Sequence, residues 1–148
     1  MPALLEVGGL GKRFGGFVAL EGIDLAVNTG ERLGLIGPNG SGKSTLVNCL
    51  CGALHHDSGS IIFDGRTIDG LPAYRRTRLG LARSFQLPKP FRSLNLLDNL
   101  RIPLLYTVNT RHGVRLSDGA IGQRCLALLD DVGLADKATR LPRDLTQV

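Results

Sequence analysis

The chemistry in this sequence is concentrated in nine consecutive residues, Gly37-Pro38-Asn39-Gly40-Ser41-Gly42-Lys43-Ser44-Thr45. They fit G-x-x-x-x-G-K-[ST], the pattern of a phosphate-binding loop. The glycines let successive backbone N–H groups turn inward around phosphate oxygens. A helix that starts within the loop adds its unpaired N–H groups and the positive end of its dipole. Lys43 supplies a mobile positive charge for the outer phosphates, and the Ser44 hydroxyl is placed to ligate Mg²⁺. The spacing therefore points to a nucleoside triphosphate held together with a divalent cation.

Such a loop needs a strand before it and a helix after it. The apolar run 33–36 predicts a strand over 32–36, and the pattern over 45–50 predicts the helix. Upstream, 3–7 reads as a strand ended by Gly8-Gly9. Phe17 to Leu20 and Ile23 to Val27 read as two further short strands, the second alternating Ile23, Leu25 and Val27. This opening is β-rich and antiparallel. Downstream, 60–63 is a strand and Asp64-Gly65 a hairpin signal leading to Arg66-Thr67-Ile68. A short helix is expected over 71–79, with Pro72 in its first turn and Gly80 ending it. Residues 81–85 return to strand and stop at Gln86. Leu87-Pro88-Lys89-Pro90-Phe91 is a stiff exposed loop, because two prolines remove donors and fix φ.

Beyond that loop the pattern becomes helical. Asn95 with Asp98 resembles a capping box, so a helix runs from Leu96 toward Ile102, where Pro103 disturbs it. Residues 106–114 are polar and loose. Ser117 starts a second helix with Ile121, Cys125, Leu128 and Leu129 at helical spacing, closed by Gly133. A last helical piece spans 136–140.

Composition bounds the possibilities. The 148 residues suffice for one modest domain. Every apolar stretch is interrupted well before membrane-spanning length, and the first residues lack a secretory pattern. A cytoplasmic location is expected. The formal net charge of +5 comes from dispersed arginines apart from Arg75, Arg76 and Arg78, which read as a solvated helix face. No nucleic-acid partner is expected. Cys49, Cys51 and Cys125 read as reduced thiols, without a matching His pair at metal spacing. His55 and His56 read as a polar surface turn.

Taken with its surroundings, the loop resembles the Walker A loop of ATP-binding cassette (ABC) transporters. Phe14 lies where that family carries an aromatic that stacks on adenine; by residue type alone it also fits a core aromatic. Gln86, in Ala82-Arg83-Ser84-Phe85-Gln86, is similar to the family's Q-loop glutamine, which touches Mg²⁺ and the attacking water. By type alone it also fits a solvated strand end. Lys12-Arg13-Phe14-Gly15-Gly16, Ala19-Leu20, Asp64-Gly65, Ser84-Phe85-Gln86 and Leu94-Asn95-Leu96-Leu97-Asp98-Asn99 look most like the ATP-binding subunits of branched-chain amino-acid importers.

The resemblance implies an α/β phosphate-loop NTPase with an N-terminal antiparallel β part. Residues 1–86 would form the nucleotide-binding core and 87–148 the flank of Gln86 plus part of a helical subdomain. It implies ATP and Mg²⁺ as cofactors, with residues 37–45 and Phe14 on the nucleotide, Ser44 and Gln86 on the metal, and Gln86 as the catalytic group. Membrane subunits docking at residues 86–91, a second ATPase subunit, and a position on the inner face of the membrane follow from it. The family also needs an LSGGQ signature, a Walker B strand and a catalytic Glu. No apolar run here ends in Asp-Glu, and Leu145-Thr146-Gln147-Val148 matches the signature only at its first two residues. The expectation is a chain truncated before those parts and catalytically incomplete by itself. A soluble ABC ATPase acting on nucleic acid or the ribosome, or a catalytically silent nucleotide-binding fragment, are the alternatives.

Overall fold

A computed structural model of the chain describes residues 3–85, 87, 89–108 and 115–145. The chain divides into two compact units, Met1–Thr77 and Arg78–Val148.

The first unit is built on a four-stranded antiparallel sheet. Its strands are β1 (Leu5–Phe14), β2 (Phe17–Val27), β3 (Ser58–Phe63) and β4 (Arg66–Thr67), in the spatial order β2-β1-β3-β4. Contrary to the expectation from sequence, the glycine pair does not end the first strand. β1 runs through Gly8-Gly9 with a shift of register between Val7 and Leu10. Gly9 takes φ 58° and donates its N–H to Asp24 Oδ1 at 2.7 Å. The irregularity re-aims the strand so that Val7 and Leu10, three apart, both face the core. Likewise the two short strands expected after Gly16 are one strand, β2, with Gly22 at an irregularity (φ 58°). The hairpin at Asp64-Gly65 forms as expected, with φ 50° and 70° at the two turn residues.

Helix α1 (Lys43–Leu50) buries Leu46 and Cys49, three residues apart, and α2 (Ala73–Leu79) follows β4. The other buried apolar residues of this unit are Val7, Leu10, Leu20, Ile61, Phe63 and Ile68. The segment 32–36 departs from expectation. It is not a strand: no described residue pairs with it, and Leu33, Leu35 and Ile36 are exposed. A strand exists only through a neighbour that completes its hydrogen-bond ladder, and apolar residues alone do not supply one. Residues 81–85 are also irregular, and Phe85 is exposed beneath the Arg83 guanidinium, 4.9 Å from its ring centroid.

The second unit holds α3 (Leu96–Pro103) and α4 (Asp118–Asp131). Asn95 caps α3 by accepting from Asp98 N at 2.8 Å, and Ser117 caps α4 by accepting from Ala120 N at 3.2 Å. The turns after α4 receive the first N–H groups of α3: Leu96 donates to Arg140 O and Leu97 to Ala138 O, each at 3.0 Å. Pro103 does not stop the chain from coiling; the helix loosens into a π-helical turn, Leu104–Val108. Ile121, Cys125 and Leu129 are buried, four residues apart, whereas Leu128 faces outward. Gly133 (φ 69°) donates to Asp130 O and Leu134 to Leu129 O, which closes α4 with a Schellman motif. Of the last expected helical stretch, 136–140, only its start is helical, as part of a 3₁₀ turn, Ala135–Lys137.

Candidate functional site

A cleft of about 300 Å³ brings together Phe14, Phe17, Ala19 and residues 39–45. Two elements shape it. The β1–β2 hairpin turns tightly at Gly15-Gly16, which places Phe14 directly opposite Phe17. Opposed residues of an antiparallel pair share one face, so the two rings form a single apolar platform. Both are substantially exposed, Phe14 by 49% and Phe17 by 61%, so neither serves as a core aromatic. Ala19 sits at the register shift of β2 between Val18 and Leu20 and lines the same cleft as Phe17.

The loop forms the other wall. Gly40 and Gly42 adopt φ 84° and 86°, which side chains rarely tolerate. Gly42 caps α1 and lies against β2: a Cβ there would sit 2.6 Å from the Ala19 carbonyl oxygen. The loop is thus seated on the strand that carries Phe17 and Ala19. At Gly37 a Cβ would approach Ser41 Oγ to 2.7 Å, so the loop is tightly closed on itself. The Lys43 ammonium lies within it and donates to Gly37 O (2.6 Å), Pro38 O (2.7 Å) and Ser41 Oγ (3.2 Å). The first N–H groups of α1 have no acceptor inside the helix. A cation, a helix N-terminus, the exposed residues Ser41 and Ser44 and two aromatic rings therefore line one cleft. Such a lining suits an anion attached to a flat apolar group, and the Ser44 hydroxyl suits a divalent cation carried with the anion.

Behind Phe14, β1 is clasped by the turn before β3. Asp57 accepts from Lys12 Nζ and from Arg13 N, each at 2.7 Å. The Lys12 hydrogen bond, then the Arg13 N–H, holds the Asp57 carboxyl below its ordinary range. Lys12 Nζ is also 5.6 Å from the Phe14 ring centroid.

The structure unites Phe14 with residues 39–45, and Gly37 and Pro38 join them through their carbonyls. Gln86 and Pro88 lie outside the described residues, as do Thr146, Gln147 and Val148. Neither Phe17 nor Ala19 was assigned to the site from sequence, although Ala19 belongs to a segment that carries the resemblance; for Phe17 the signal was the two-residue Gly-Gly loop, which sets it opposite Phe14. Two surface expectations need correction. Arg76 is not on a solvated face: it is 1% exposed, and its fork donates to four backbone carbonyls. The His56 side chain is largely covered as well, with Nε2 3.5 Å from Asp69 Oδ1. Cys49 and Cys125 are buried free thiols, and burial raises the pKa of both. Among the described residues no helix is long and apolar enough to cross a membrane.

A protein-family model described as "ABC transporter" matches residues 20–147. The high-affinity branched-chain amino acid transport ATP-binding protein BraF of Pseudomonas aeruginosa is 40% identical over 107 residues, 72% of this chain and 42% of that protein. The corresponding protein LivG of Escherichia coli is 32% identical over 150 residues, covering 96% of this chain and 59% of LivG. Among solved structures, the ADP conformation of MJ1267, an ATP-binding cassette of an ABC transporter, aligns with a TM-score of 0.77 at 29% identity. That alignment covers 99% of this chain and 60% of MJ1267. The chain thus spans 42 to 60% of the length of these relatives.

Proposed function

The chain belongs to the ABC transporter family, and from that premise we propose that its cleft binds Mg-ATP as the nucleotide site of a transport ATPase subunit. The observation that carries this reading is the shared cleft: the phosphate loop at the start of α1 opens onto the same space as Phe14 and Phe17.

The roles follow from the side chains. Backbone N–H groups of residues 40–45 surround the β- and γ-phosphates, and Lys43 exchanges its loop carbonyls for phosphate oxygens. Adenine stacks on Phe14, with Phe17 extending the apolar surface. Ser44 would contribute an oxygen to Mg²⁺, and the family resemblance would make Gln86 a further ligand. When bound, the ion offsets the negative charge on the outer phosphates. By the family resemblance, Gln86 would also orient the water that attacks the γ-phosphate.

The names of the relatives favour an importer of branched-chain amino acids as the machine that this ATPase drives. Membrane subunits would dock at residues 86–91, and a second ATPase subunit would complete the site, on the inner face of the membrane. Asn99 supports that docking segment from α3: its side chain accepts from Phe91 N at 2.8 Å and donates to Phe91 O at 3.1 Å.

Titration with a fluorescent ATP analogue in the presence of Mg²⁺ tests the site. Saturable binding by the wild-type chain and no measurable binding by Lys43→Ala are the expected results. Equal affinity in the two proteins would sink the proposal.

A further inference from the structure

Helix α1 carries the phosphate loop at one end, and a residue from another element closes its other end. The helix has eight residues and no basic residue in its own last turn. Arg76, from α2, enters there instead. Its Nη1 donates to Cys49 O at 2.8 Å and Leu50 O at 2.9 Å, the last carbonyls of α1. Its Nε donates to Leu71 O at 2.8 Å and its Nη2 to Asp69 O at 2.9 Å. Asp69 is in turn fastened to the sheet, since its carboxylate accepts from Ile61 N on β3 at 2.7 Å. Gly52, just after α1, leaves the space: a Cβ there would lie 2.8 Å from Arg76 Nε.

We infer that Arg76 is a positioning residue for the phosphate loop, clamping the C-terminus of α1 to the turn beside β3 and so setting the direction in which its N-terminal N–H groups point. The role presupposes the nucleotide site proposed above. Three physical facts support it. An eight-residue helix is a rod about 12 Å long, so a tilt at one end displaces the other. The apolar seat of α1 is short, consisting of Leu46 and Cys49 on one face, and such a contact resists sliding better than tilting. The guanidinium is planar and keeps its charge even where burial lowers its pKa, so it fixes four carbonyls in one geometry and complements the negative end of the helix dipole. A lysine at this position keeps the charge and loses the fork.

The test compares the full chain with Arg76→Lys and Arg76→Gln, at a temperature where far-UV circular dichroism shows each folded. Each is titrated with the fluorescent ATP analogue and Mg²⁺, then competed with inorganic tripolyphosphate. Arg76→Gln is expected to bind both about tenfold more weakly, and Arg76→Lys to fall between it and wild type. Equal loss for tripolyphosphate places the defect at the phosphate end. Unchanged affinity in a folded Arg76→Gln chain would show that Arg76 serves only the fold and overturn the inference. A loss confined to the ATP analogue, or failure of both variants to fold, overturns it as well. If the wild-type chain binds nothing, the nucleotide reading falls and takes this role with it, which separates that failure from the failure of Arg76 alone.

Discussion

At the scale of single residues, the proposed nucleotide site has two parts, an aromatic platform and a glycine loop, and each can be removed separately. Stacking of a base on an aromatic side chain is worth about 1–3 kcal/mol. Phe14→Ala should therefore weaken ATP by roughly that amount and leave tripolyphosphate unaffected, as read by competition against the fluorescent analogue. Equal loss for both ligands would mean that Phe14 shapes the loop rather than holding the base. Gly42 is the complementary case. Alanine there would place its Cβ 2.6 Å from the Ala19 carbonyl oxygen, at φ 86°. Backbone oxygen does not yield as a flexible side chain does, and the strained φ alone costs about 1–3 kcal/mol. Gly42→Ala should lower the melting temperature and abolish binding together. Gly40 has a similar φ but open space at its Cβ. Gly40→Ala should therefore carry the backbone strain without the collision, and melt between wild type and Gly42→Ala in the same scan.

At the scale of elements, Asp57 joins the turn before β3 to the end of β1 that carries Phe14. Its folded-state pKa is depressed, chiefly by the Lys12 hydrogen bond and then by Arg13 N–H. A depressed carboxyl stabilises the fold above its unfolded pKa, and that contribution is lost as pH falls through the folded value. The melting temperature of wild type should exceed that of Asp57→Asn at neutral pH, and the gap should close as pH falls below the ordinary carboxylate range. A gap independent of pH would mean that the clasp acts through shape and not charge. Elements of this kind differ in how legible they were. Asn95 and Ser117 start their helices through their own side chains, Gly133 ends one through its own φ, and Asp64-Gly65 makes its turn alone. All four could be read locally. The glycine loop that leads into α1 was legible for the same reason. The strand expected over 32–36 failed because pairing is not a property of the segment. The continuity of β1 and β2 was hidden because their glycines act as irregularities within a ladder and not as stops. Arg76 was misread because its partners lie up to 27 residues away, and sequence shows an arginine but not the carbonyls waiting for it.

At the scale of the molecule, the segment that leads into the phosphate loop is the least satisfied part of the first unit. Leu33, Leu35 and Ile36 are exposed, Ile36 by 96%, and no described residue pairs with their backbone. Contiguous exposed apolar residues with open hydrogen-bonding groups favour self-association. The net charge of +5 opposes it, because identical chains repel. Salt decides between the two effects. The Debye length shrinks from about 30 Å at 0.01 M to about 10 Å at 0.1 M, which removes the repulsion and leaves the apolar attraction in place. The chain should therefore be closest to monomeric at low ionic strength and associate as salt and protein concentration rise, as followed by sedimentation velocity. Replacing Leu35 and Ile36 together by Lys removes apolar surface and adds charge at the same spot, so the doubly substituted chain should stay monomeric at salt concentrations where wild type does not. A wild-type chain that sediments as a monomer at every concentration and salt level, with a sharp and concentration-independent unfolding transition, would show that this run is covered in solution. The loop it feeds would then be held by a contact that the described residues do not contain.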